Sequence, residues 1–146
     1  AVFMQTDNRF APSALMHNLK HNRVLHERNI VLTMLTDRIP YVQKNARIEI
    51  KDLSHGFFRI IAHFGFMETP TIGEVIACCA LKDFVIEEQK TSFFLGRETI
   101  ISTGKPGMAR WREHLFAAMS RHAQRPAEFF KLPVNRTIEL GGRVEI

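Results

Sequence analysis

Residues 29–36 read NIVLTMLT. The run is apolar and rich in β-branched residues, and it is short, which predicts a central strand of a sheet rather than a helix. Its neighbours take their roles from it. Upstream, APSALMHNLKHN (11–22) predicts a helix with Ser13 placed to cap the first turn. On that helix Leu15 and Leu19 share one face, while His17 and His21 share another. Before it, AVFM (1–4) reads as a short buried strand.

Downstream, RIEIKDL (47–53) and FFRIIAHFGF (57–66) flank Ser54-His55-Gly56. The first segment alternates, with Ile48 and Ile50 inward and Glu49 and Lys51 outward, so the two pair as an antiparallel hairpin. Pro70 and Thr71 open a second helix, where Thr71 and Glu74 have the spacing of a capping box. Its expected apolar stripe is Ile72, Val75, Ile76, Cys79 and Ala80. TSFFLG (91–96) reads as another buried strand, and GKPG (104–107) breaks the chain before a long helix over 107 to about 123. That helix aligns Met108, Trp111, Leu115 and Met119. TIELGGRVEI (137–146) reads as two short segments interrupted by Gly141 and Gly142.

These elements describe an α/β fold: one domain over residues 1–146, a mixed β-sheet with a hairpin, and about three flanking helices. Phe57, Phe58, Phe64, Phe66, Phe93, Phe94, Phe129 and Phe130 read as core. Neighbouring phenylalanines on one strand point to opposite faces, so the sheet is expected to be covered on both sides there.

The chain has 146 residues, 45% of them apolar, with twelve phenylalanines, enough for a real core. Its 20 lysines and arginines against 15 acidic residues give a net charge of +5, spread along the chain. Such a surface tolerates anionic neighbours, phospholipid headgroups among them. No RNA-recognition or zinc-finger spacing accompanies the charge, and nucleic acid is not an expected partner. Cys78 and Cys79 are the only cysteines. As helix neighbours their side chains diverge, so they favour reduced thiols and a reducing compartment. The longest apolar run, VIACCAL (75–81), is far too short to span a bilayer, and no secretory signal is visible, so the chain reads as soluble. Its start on a strand without methionine reads as a piece of something longer.

The densest polar stretch is HNLKHNRVLHER, residues 17–28. His17 and His21 have the spacing that lets two imidazoles share a zinc ion, with His26 or Glu27 as a third ligand. The zincin pattern, however, needs glutamate directly after the first histidine, and position 18 is asparagine. A solvated helix face is the favoured reading, and no metal or cofactor is expected. Ser54, Ser92, Cys78 and Cys79 lack the base and orienting acid of a nucleophilic site, so no enzyme is expected. TGKPGMAR (103–110) offers backbone N–H groups and Lys105 at a helix start, and reads equally as a breaker loop. Arg97 and Glu98, in GRET (96–99), read equally as functional groups beyond a strand or as an ion pair at its end.

The stretch LMHNLKHNRVLHERNIVLT (15–33) resembles the start of the cytoplasmic C-terminal domain of the Kup/HAK/KT potassium uptake permeases, with their HNLxHNxVLHE pattern. FGFMETP (64–70), TSFFLGRETI (91–100) and NRTIELGGRVEI (135–146) resemble the same family, in order along nearly the whole chain. The resemblance implies a parent with about twelve membrane helices that carries potassium with protons, and a domain on the cytoplasmic face of the inner membrane. The implied role is regulation or assembly: docking on the transmembrane domain of the same polypeptide, or forming a homodimer, with the membrane surface nearby. The interface or ligand candidates are His17, Asn18, Lys20, His21, Asn22, His26, Glu27, Arg28, Arg97 and Glu98. Some family members respond to cyclic di-AMP, which makes a cyclic-dinucleotide sensor the second reading, with Lys20, His21, Arg28 and Arg97 as its phosphodiester ligands. A pH response through the seven histidines is a third expectation.

Overall fold

A computed structural model describes residues 1–6, 10–101 and 126–145. In chain order the elements are β1 (Val2–Gln5), α1 (Ser13–Asn22), β2 (Asn29–Asp37), β3 (Ile48–Asp52), β4 (Phe57–Gly65), α2 (Ile72–Ala80), β5 (Phe93–Ile101), α3 (Pro126–Phe129) and β6 (Thr137–Glu145). The strands form one six-stranded sheet in the order β3-β4-β2-β1-β5-β6. Every pairing is parallel except β3 with β4, so the sheet is mixed, as the sequence predicts.

β2 lies inside the sheet, between β1 and β4, with Ile30, Val31 and Leu32 all buried. The β3–β4 hairpin forms with Ile48 opposite Ala62 and Ile50 opposite Ile60. Two apolar clusters, one on each face, account for the adjacent phenylalanines. Phe93 joins Val2, Met4, Leu32, Ile60 and Phe64 beneath the Ile72, Val75, Cys78 and Cys79 side of α2. Phe94 joins Phe3 on the other face, beneath Ala14 and Leu15 of α1. The Phe3 and Phe94 rings stack with centroids 4.8 Å apart. Phe57 and Phe58 divide between the two clusters in the same way.

Several expectations are corrected. Ser13 does not cap α1: the N-cap position belongs to Pro12 and no side chain caps it. Thr71 does cap α2, accepting the Glu74 N–H at 3.4 Å, but the Glu74 carboxylate turns to Arg47 Nη1 at 3.0 Å. A charged donor outcompetes a backbone amide, so the reciprocal half of the capping box is not made. The buried stripe of α2 includes Cys78, while Ala80 is exposed. Gly96–Thr99 lies inside β5 rather than beyond it, and residues 137–145 form one strand, because Gly141 and Gly142 pair directly with Arg97 and Glu98. Phe66 and Phe129 are exposed. The helix expected over 107–123 lies outside the described residues, as does most of TGKPGMAR.

Candidate functional site

Residues 17–28 cover the second half of α1 and the turn that brings the chain back to β2. Arg23 ends the helix in the left-handed conformation, with φ 55°, a place where glycine is usual. Asn18 makes that turn affordable. It is 3% exposed; its side-chain amide donates to the Val24 carbonyl at 2.9 Å, and its side-chain oxygen accepts from Asn22 Nδ2 at 2.8 Å. The other end of the turn is fixed by Asn29, whose Nδ2 donates to the His26 carbonyl at 2.7 Å and whose backbone N–H donates to Gly56 at 2.8 Å. Gly56, at φ 78°, presses so closely on this segment that a Cβ there would stand 2.5 Å from the Glu27 carbonyl oxygen.

Arg28 completes the frame. Its guanidinium donates to the Val85 carbonyl at 3.0 Å and lies over the rings of Phe84 and Phe58, 5.2 and 5.8 Å from their centroids. The backbone of residues 23–28 is thus tied at Asn18, Arg28, Asn29 and Gly56. On this fixed turn Val24 and Leu25 stand 56% and 46% exposed. Lys20, His21 and Glu27, in the same stretch, are exposed polar groups. The rings of His17 and His21 stack at 5.8 Å, and His26 sets an edge against Phe94 at 5.8 Å. Partial burial lowers the pKa of His26 and favours its neutral form.

The comparisons with known proteins point one way. The profile of the K+ potassium transporter C-terminal domain matches residues 1–146. The chain belongs to that family. Among curated relatives, it is 51% identical over its whole length to a protein of Chromobacterium violaceum named "Probable potassium transport system protein Kup 2", of which it covers 24%. It is 49% identical, again over its whole length, to the Myxococcus xanthus "Probable potassium transport system protein Kup", of which it covers 22%. The chain thus spans about a quarter of the curated relatives it matches. No solved structure matches.

Within this potassium-transporter C-terminal domain, the remaining candidates do not all meet. Ile30 and Phe93 stand level, both opposite Val2. Arg28 therefore precedes that level by two residues and Arg97 follows it by four, which separates them by about 20 Å along the strands. They lie toward opposite ends of the sheet. The side chains of Arg97 and Glu98 lie outside the described residues. Among the described residues, no group of three His, Cys, Asp or Glu side chains is arranged to hold a metal. Cys79 is fully buried, and that burial pushes its thiol up to about 11, so it offers no nucleophile near neutrality. No helix among the described residues is long and apolar enough to cross a membrane.

Sequence reasoning missed three features. Arg47, 3% exposed, pairs with Glu68 and Glu74 and lies 4.9 Å from the Phe64 ring centroid. His63 Nδ1 stands 3.1 Å from Asp37 Oδ1, across β4 and β2. A cavity of about 400 Å³ opens beside Met4, Gln5, Ser13 and Gly96. It lies at the carboxyl end of β1 and beside Leu95 and Gly96 within β5, two neighbouring strands whose other partners, β2 and β6, lie on opposite sides. Strand order alone reveals that location, and the sequence does not supply the order.

Proposed function

We propose that this chain is the cytoplasmic regulatory and assembly domain of a potassium:proton transporter, and that it docks on the membrane portion of the same polypeptide through residues 17–28. The observation that carries the reading is the fixed turn at 23–28, which holds Val24 and Leu25 in water in a stretch that also exposes Lys20, His21, Glu27 and Arg28. Apolar side chains held out by a rigid backbone lose little entropy when a partner covers them. The relatives, named as potassium transport proteins, are about four times longer than this chain, so the polypeptide itself supplies a partner. The test is potassium uptake by the intact transporter carrying Val24→Asp and Leu25→Asp at parental abundance, with Lys51→Glu as an exposed control on β3. A rate changed by the first pair and not by the control supports docking; an unchanged rate refutes it.

A second reading, sensing of a cyclic dinucleotide such as cyclic di-AMP, draws support from a cavity of about 330 Å³ lined by His26, Arg28 and Lys90. The cations suit a phosphodiester. Against this reading, Arg28 is engaged with Val85 and Lys90 pairs with Glu87 at 2.7 Å. Titration of the intact transporter with cyclic di-AMP, followed by Arg28→Gln, decides it: saturable binding lost in the variant supports sensing at this end of the sheet.

A further inference from the structure

Four large apolar side chains stand in water at the carboxyl ends of β2 and β4. Ile39, Tyr41, Phe66 and Met67 are 50%, 64%, 59% and 61% exposed. Two loops carry them side by side: the Phe66 N–H donates to the Ile39 carbonyl at 3.0 Å, and the Met67 N–H to the Pro40 carbonyl at 3.2 Å. A Cβ on Gly65 would stand 2.1 Å from the Pro40 oxygen, so the two backbones are in direct contact.

Beneath them, the Glu68 carboxylate accepts the Gly65 and Val42 N–H groups at 2.6 and 3.0 Å and pairs with Arg47. Arg47 in turn donates to the Val42 carbonyl at 2.8 Å and to Glu74 at 3.0 Å. The frame is closed and polar, with Arg47 buried at its centre and Glu68 partly buried beside it. Loops this well fixed cannot fold their apolar residues back into the core, and an exposed cluster of such size marks an interaction surface.

Charge selects the partner. Arg38 and Lys44 are exposed on the same loop as Ile39 and Tyr41, whereas the nearby carboxylates of Asp37 and Glu68 are turned to His63 and Arg47. A crest of Ile, Tyr, Phe and Met with a cationic rim matches the interfacial layer of a bilayer that contains anionic lipid. A second copy of the same crest would set like charges against one another. We infer that Ile39, Tyr41, Phe66 and Met67 enter the headgroup layer of an anionic membrane, with Arg38 and Lys44 at the lipid phosphates. The inference rests on the reading of this chain as part of a membrane transporter. It also sets an orientation. The nine residues of β2 span about 30 Å between the 23–28 turn and the crest. With the strands lying along the membrane plane, the turn meets protein and the crest meets the surrounding lipid.

The test places the photo-crosslinker benzoylphenylalanine at Phe66, and separately at Tyr41, in the intact transporter reconstituted in bilayers of phosphatidylethanolamine and phosphatidylglycerol. Irradiation is expected to give phospholipid adducts on the peptide bearing the probe, enriched in phosphatidylglycerol beyond its share of the bilayer. Arg38→Gln with Lys44→Gln is expected to abolish that enrichment. Cross-links to a second copy or to the transporter's own peptide, or no lipid adduct at either position, overturn the inference. The same probe at Leu25 keeps the two proposals apart: a protein cross-link there without lipid adducts at Phe66 and Tyr41 sinks the crest alone, whereas no protein cross-link at Leu25 refutes the docking reading.

Discussion

The side chain of Asn18 donates to the carbonyl of Val24 at 2.9 Å, six residues along the chain, and so closes the turn that ends α1. Asn18→Ala removes this bond and the one from Asn22, leaving the Val24 carbonyl and the Asn22 amide without their part-buried partner. The expected cost is about 1–3 kcal/mol, read as a lower denaturation midpoint with an unchanged slope. A loss below a few tenths of a kcal/mol would mean that the turn holds itself.

Gly65 and Gly96 should respond differently to alanine. At Gly65 the new Cβ meets the Pro40 backbone at 2.1 Å, and neither loop can give without breaking the Phe66 to Ile39 hydrogen bond. At Gly96 it meets the Ser13 Oγ at 2.5 Å, the far end of a small side chain. Gly65→Ala is expected to cost about 3 kcal/mol or more. Gly96→Ala is expected to cost less, and to recover when combined with Ser13→Ala. A double-mutant cycle by chemical denaturation measures this, and additive losses at 13 and 96 would contradict the packing.

Much of this architecture is legible in residue order. The NIVLTMLT strand, the alternating RIEIKDL hairpin arm and the paired phenylalanines report their burial because period and branching are local properties. The order of strands is not local, so the mostly parallel sheet and the cavity beside Gln5 stay hidden. Phe66 reads as core by its neighbours, yet the Gly65 to Pro40 contact turns it outward. At the candidate site, the composition of HNLKHNRVLHER announces a polar surface, but the division of labour within it depends on burial. Asn18 serves the turn and Arg28 spans to Val85, while Val24 and Leu25, the least polar residues of the turn, are exposed along with the polar residues beside them.

Glu68 gives the protein a defined acid response. Burial raises its pKa, but the Gly65 and Val42 N–H groups and Arg47 outweigh burial and hold it below its ordinary 4.5. The folded carboxyl therefore binds a proton less readily than the unfolded one. Its stabilisation is complete above about pH 4.5 and is lost as pH falls through the lower folded-state value. Glu68→Gln is expected to cost about 3 kcal/mol at pH 7, because Arg47 stays buried, and to flatten the stability profile below pH 4.5. An unaltered profile would contradict the assignment.

The cysteines should be silent. With the Cys79 thiol at about 11 and both side chains buried, only on the order of one in a thousand Cys79 groups is thiolate at pH 8. Iodoacetamide is expected to leave the folded protein unmodified and to alkylate both residues in guanidinium. Rapid labelling of the folded chain would show that the Cys78 and Cys79 side of α2 opens.

The docking of residues 17–28 on the transporter is tested most directly by placing benzoylphenylalanine at Leu25 in the intact protein, within its native membrane, and sequencing the cross-linked peptides. The account predicts a cross-link between Leu25 and a peptide of the same polypeptide's membrane portion, lost when Val24→Asp is added. A Leu25 probe that gives no protein cross-link, or one only to a second copy of residues 17–28, would contradict it.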